Sequence, residues 1–225
     1  MFHGLETFNP IEGAIAENCQ TSSTTPLPAI RFGASKIPLE LNTTTPNIVI
    51  NESLQPTTNI PEYTVFITGV IGHHTSYCAE LITLLRTLPQ SSQVKVYISS
   101  PGGSLAGGAM ISAAIHQCKA HVTTHAIGVV ASSAALIWSY GHTKEVSDGA
   151  VLMFHMSSHG DYGNSQEIKT AAENTVRYVK EVAIDPLVMM GILTEEDAEI
   201  IIDRRQNRWF DSTTIQARLE KCHAK

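Results

Sequence analysis

Val94-Lys-Val-Tyr-Ile-Ser-Ser-Pro-Gly-Gly-Ser104 is the stretch that decides the fold class. Val94, Val96 and Ile98 alternate with Lys95, Tyr97 and Ser99, the period of a strand with one face in a core. Pro101-Gly-Gly103 breaks the run, and a small-residue helix follows over roughly 106–118. The same cycle recurs on both sides. Upstream, Tyr63–Thr68 reads as a strand ended by Gly69, and residues 76–88 place Cys78, Leu81, Ile82, Leu85 and Leu88 at helical spacing. Downstream, Val122–Ile127 reads as a third strand, Ala131–Tyr140 as a short helix and Val151–His155 as a fourth strand. Strands alternating with helices imply crossover units, an α/β class and a largely parallel sheet.

Two further helices are expected. Ile168, Ala172, Val176, Val179 and Ala183 form one apolar stripe on a helix over about 165–188, with Ser165 as its N-cap. That length exceeds what a small sheet layer needs, so one end should project or pack on a partner subunit. Thr194-Glu-Glu-Asp197 opens another helix, with acids in the turn where the helix dipole favours them.

Composition narrows the function classes. The chain has 225 residues, 43% hydrophobic and 16% charged, with a net charge of −6. It lacks the basic footprint of nucleic-acid or anionic-membrane binding. The longest apolar stretch, Gly128–Trp138, is too short to span a bilayer. The opening MFHGLETFNP has no apolar core of the secretory type, so a cytoplasmic location is expected. Four scattered cysteines (Cys19, Cys78, Cys118, Cys222) form no C-x-x-C pair and read as free thiols of a reducing compartment. His73-His74 reads as a solvated turn, and His121 with His125 lacks a third ligand, so no metal or cofactor is expected. Residues 1–60 hold six of the ten prolines and threonine runs at 21–25 and 43–45. They read as an extended arm or propeptide ahead of a 61–225 domain, although Asn47–Ile50 has strand character.

The chemistry gathers at three places. Gly128-Val-Val-Ala-Ser132-Ser133 joins a strand to a helix, and its serine would sit where backbone N–H groups are unpaired. Taken alone, such a serine is usually a cap. Gly102-Gly103 allows close backbone approach to a substrate oxygen. His155 ends an apolar strand and could take a proton from Ser132, with a carboxylate or amide near 203–211 orienting its ring.

Tyr97-Ile-Ser-Ser-Pro-Gly-Gly103, Gly128-x-x-Ala-Ser132 and Met153-Phe-His155 resemble, in order and spacing, the signature blocks of the Clp protease proteolytic subunit (ClpP) family over residues 63–212. The resemblance implies a crotonase-like fold of repeated β-α units with a protruding handle helix. It implies a serine endopeptidase that acts on unfolded polypeptides inside stacked heptameric rings. Carried across, Ser132 is the nucleophile, His155 the base, and the N–H groups of Gly103 and Ser133 the oxyanion donors. The segments after Gly103 (Ser104, Leu105) and after His155 (Met156, Ser157) would bind the substrate strand. The 165–188 helix would be the handle, with Gly160 and Gly163 at its start.

The chain departs from the family at the third triad position. Aligning on Arg208-Trp209-Phe210 puts Asn207 where the family has an aspartate, with Asp203 as the alternative. An amide can hold a histidine tautomer but stabilises the imidazolium less than a carboxylate does. This departure motivates a second reading, a catalytically weak or silent ring subunit that partners an active paralogue. A third, an acyl-CoA-processing crotonase relative, is opposed by the Ser132/His155 pair. Neither the N-terminal arm nor the C-terminal Ala217–Cys222 resembles the family's ends, so a Clp-type AAA+ ATPase is expected less firmly than peptidase chemistry. His159, Trp138 and Trp209 carry only surface or packing readings.

Overall fold

The computed structural model describes residues 48–54, 60–72, 76–157 and 164–223. Cys19, His73-His74, His159, Gly160 and Gly163, and most of residues 1–60, lie outside these residues. Contacts divide the chain into units of 1–41 and 42–225, and every described residue belongs to the second.

Seven strands form one sheet among the described residues: β1 (Ile48–Leu54), β2 (Pro61–Ile71), β3 (Gln93–Gly103), β4 (His121–Ala131), β5 (Thr143–Val146), β6 (Val151–Phe154) and β7 (Arg208–Asp211). Their order is β1-β2-β3-β4-β6-β7, with β5 also on β4. The central strands are parallel, as the alternation of strands and helices predicts. Both ends are antiparallel: β1 pairs with β2, and β7 with β6. β1 lies inside the stretch read as an arm, at the run with strand character.

Helices α1 (Ser76–Thr87), α2 (Leu105–His116) and α3 (Ser133–Ser139) follow β2, β3 and β4. Val65, Ile67, Val94, Val96, Ile98, Val122 and Ala126 are buried together with Leu81, Leu85, Ile111, Ile115 and Ile137 of these helices. The alternate residues Phe66, Tyr97 and His125 are only half buried and stack in a row, with ring centroids 5.3 and 4.4 Å apart. Parallel strands usually read as continuous apolar runs because both faces are covered. Here alternation survives into the parallel strands, which is why the period-two signal was legible. Trp138 is fully buried and donates its indole N–H to Glu145 O at 3.0 Å.

The long helix runs in three pieces: α4 (Ser165–Val179), a π turn over Lys180–Ile184 and α5 (Asp185–Met189). Pro186 supplies no N–H and its ring crowds the carbonyl four residues back, so the helix widens ahead of it. Asp185 N–H accordingly bonds Lys180 O, five residues back. The cap is Asn164 rather than Ser165. Its side chain accepts from Gln166 and Glu167 N–H while Glu167 bonds back to Asn164 N–H, a complete capping box. The first turns of α4 lie exposed, with Ile168 of the apolar stripe 42% accessible.

Helix α6 (Glu195–Ile202) begins at Thr194, also through a capping box, with Asp197. Strand β7 and helix α7 (Ser212–His223) complete the described chain. β5 (TKEV) and β7 (RWFD), four residues each, lack the continuous apolar run that marked the equally short β6 (VLMF).

Candidate active site

The site is assembled where three neighbouring strands end. β4 runs into Ser132, β6 into His155, and β7 begins just after Asn207. Ser132 Oγ and His155 Nε2 are 2.8 Å apart. Ser132 occupies the N-cap position of α3 but makes no side-chain cap bond; its hydroxyl is turned to the histidine instead. Its backbone has φ 59° and ψ −127°, a conformation that L-residues rarely adopt. Its N–H bonds Met153 O at 2.8 Å, tying the turn to β6. Strain held in place by surrounding structure is a feature of functional sites.

The room for this turn comes from glycines elsewhere. A Cβ on Gly102 (φ 91°) would lie 2.5 Å from Ala131 O and 2.6 Å from Ser132 Cβ. One on Gly108 would lie 2.7 Å from Ser133 Cβ. Gly102 and Gly108 therefore leave space for the serine turn, while Gly103 and Gly107 leave space for the end of β2 at Ile71 and Gly72. The elbow-like strain at Ser132 had no local sequence mark, since no glycines flank it at the spacing of the nucleophile elbow.

Ser132, Ser133, Gly103, His155, Leu105 and Ser157 border one cleft of about 260 Å³. Ser133 opens α3, so its N–H has no intrahelical carbonyl to bond. Val179, Ala183, Ile184 and Leu187, from α4, the π turn and α5, supply an apolar wall with Leu136 and Met153. Neither Ser104 nor Met156 borders the cleft. Ser104 caps α2, its hydroxyl accepting from Gly107 N–H at 3.1 Å, and Met156 is 8% exposed in the core. Burial lowers the His155 pKa from its ordinary value, so the ring is neutral, and able to accept a proton, at neutral pH.

The third position is arranged by β7. The ladder pairs Phe154 with Arg208 and ends there, with His155 and Asn207 the next residues beyond it on the two chains. Asp203 ends α6 on the other side of a turn, in which Arg205 adopts φ 52° and Gln206 N–H bonds Ile200 O at 3.1 Å. Among the described residues, no hydrogen bond joins His155 to either Asn207 or Asp203, and both side chains are exposed.

Beneath β7 lies a cluster that sequence reading missed. Asp197, 1% exposed, accepts from Arg208 Nε at 2.8 Å and Nη2 at 2.7 Å, from Arg218 Nη1 at 2.7 Å, and from Thr194 N–H and Oγ. Burial would raise its pKa, but the bonds from Thr194, Arg218 and Arg208 outweigh that and hold it at about 2. Both guanidiniums lie over the Phe210 ring, which meets Phe154 of β6 at 6.0 Å. The Thr194-x-x-Asp197 spacing was a legible capping box; the two arginines arrive from 11 and 21 residues away.

Among the described residues no helix is long and apolar enough to cross a membrane. Residues 55–212 match the Clp protease family. The chain is 29% identical over 130 residues to ATP-dependent Clp protease proteolytic subunit 3 of Streptomyces avermitilis, covering 57% of this chain and 58% of that protein. It is 30% identical over 145 residues to proteolytic subunit 2 of Rhodococcus jostii, 64% and 71% of the two chains. With the ATP-dependent Clp protease proteolytic subunit of Pleurastrum terricola it shares 32% over 105 residues, 46% and 54%.

Proposed function

Because the chain belongs to the Clp protease family, we propose that it is a serine endopeptidase of unfolded polypeptides in which Ser132 is the nucleophile and His155 the general base. The observation that carries this is the 2.8 Å contact between Ser132 Oγ and His155 Nε2 at a cleft open to substrate. His155 Nε2 takes the hydroxyl proton as Oγ attacks the scissile carbonyl. The N–H groups of Gly103 and Ser133 receive the oxyanion. The imidazolium then protonates the leaving amine, and water activated by the same nitrogen frees the acyl group from Ser132. The apolar wall of Leu136, Met153, Ile184 and Leu187 suits an apolar substrate side chain beside the bond. An internally quenched peptide with such a side chain should be cleaved by the purified protein. Absence of cleavage in every assembly state would overturn the reading.

The acid limb of the pH–rate profile tests the base. Burial lowers the His155 pKa, so kcat/KM should hold its plateau below the ordinary histidine value of 6.5 and fall only as pH drops further. A limb centred at or above 6.5 would contradict this.

The crotonase-like arrangement, the stacked rings and the handle role of the long helix belong to the same proposal. The exposed Ile168 on α4 and the open sheet face bearing Phe66, Tyr97 and His125 support packing on further copies of the chain. Residues 1–60 would be an arm or propeptide ahead of the 61–225 unit. The relatives are named ATP-dependent, which supports a Clp-type ATPase partner; a cytoplasmic setting is part of the same proposal.

The second reading, a weak or silent ring subunit, is motivated by the amide at 207, which among the described residues makes no bond to His155. Asn207→Asp should raise kcat by about tenfold or more if the triad is intact but weak, because a carboxylate stabilises the imidazolium. Steady-state kinetics of the variant decides it. An unchanged, near-zero rate would favour the silent subunit.

A further inference from the structure

The residues across the sheet from Ser132 continue past the proposed triad. β6 lies between β4 and β7, so Ser132, His155 and Asn207 succeed one another at the ends of adjacent strands. Alternate residues of a strand share a face. Residues 151 and 153 of β6 therefore face the same way as 209 and 211 of β7. On the opposite face, Phe210 is buried against Phe154 and beneath the two arginines. On the Met153 face, one strand over from the end that carries His155, stands Trp209, 55% exposed. Its ladder partner is Met153, whose side chain borders the cleft.

Trp209 thus differs from Trp138, which is fully buried with its N–H engaged. Among the described residues the Trp209 indole makes no hydrogen bond and no ring contact. It sits on a four-residue strand at the edge of the sheet among the described residues. An indole offers a large, rigid apolar surface and one N–H donor, and exposed tryptophans are over-represented among the residues that dominate binding.

We propose that Trp209 is a specificity-determining residue that packs on an apolar or aromatic substrate side chain on the leaving-group side of the scissile bond. The inference rests on the peptidase reading above. Its direction follows from the strand order. His155 must hand its proton to the leaving amine, so substrate departing from Ser132 passes His155. The next strand it meets is β7, where Trp209 faces the same side as Met153. The wall formed by the long helix serves the acyl side; Trp209 serves the other.

The test uses two internally quenched peptides, identical up to the scissile bond and carrying Phe or Gly immediately after it. Wild type should prefer the Phe peptide. In Trp209→Ala the Phe/Gly ratio of kcat/KM should fall about tenfold, mostly through KM, as for the loss of one aromatic anchor. Trp209→Phe should restore most of the ratio. An unchanged ratio in Trp209→Ala overturns the inference. So does an equal loss on both peptides with a fall in native mass, which would assign the indole to subunit packing. If wild type cleaves neither peptide and takes no serine-directed label, the peptidase reading itself falls and this inference with it.

Discussion

Ser132→Ala is expected to lower kcat/KM for peptide hydrolysis by about 10⁴- to 10⁶-fold, the range found when a triad serine is removed. The substitution deletes one oxygen and keeps the Cβ that packs 2.6 Å from where a Gly102 Cβ would stand. Its fold should therefore survive, because φ 59° is no harder for alanine than for serine. Among the described residues the lost oxygen has no structural bond to replace: it caps nothing and bonds only His155 Nε2. A matched loss in His155→Ala is expected, since residues that act as one unit are not additive. Native mass and circular dichroism of the variant check that the assembly is unchanged. Residual turnover within about a hundredfold of wild type would place the nucleophile elsewhere.

The largest effect on stability is expected at Asp197. Removing it strands Arg208 and Arg218 at a site where its carboxylate accepts from both, and breaking a buried ion pair on one side costs roughly 3–5 kcal/mol. Asp197→Ala should show that loss in chemical denaturation at neutral pH. Its pH dependence has a defined sign. The folded-state pKa is lowered from 3.8 to about 2, so the contribution is complete above 3.8 and disappears as pH falls toward 2. Wild type should lose stability across that window, and Asp197→Ala should lose less. A cost below about 1 kcal/mol at neutral pH would reduce the cluster to a solvent-screened contact. Because β7 is held through Arg208, the same variant should weaken the β6–β7 pairing that ends just before His155 and Asn207.

Why some of this was legible and some was not follows from range. Val94–Ile98 and Val122–Ala126 alternate because helices cover one sheet face only, so single-strand periodicity carried the fold class. Cys78 and Cys118, read as buried thiols from helical spacing, are 5% and 7% exposed, and their Sγ atoms donate to Gly72 O and Leu85 O. Ser132 and His155 could be paired because each sits at the end of a strong apolar strand. The strained backbone at Ser132 could not, because its cause is missing Cβ atoms at Gly102 and Gly108, on other elements. Position 207 was reached by alignment; in the fold Asn207 directly precedes β7, and Asp203 follows α6. The arginine cluster stayed hidden because Thr194-x-x-Asp197 explains itself as a cap without partners from α7. Trp209 looked like a packing residue; only the sheet order shows that, among the described residues, it stands on an edge strand beside Met153.

The central claim is that Ser132 is an activated nucleophile. The most direct measurement is the intact mass of the protein after reaction with a serine-directed fluorophosphonate, followed by peptide mapping. The account predicts one adduct per chain, on the peptide containing Ser132, absent in Ser132→Ala and strongly slowed in His155→Ala. An unlabelled wild-type protein in its assembled state, or an adduct on any other serine, would contradict it.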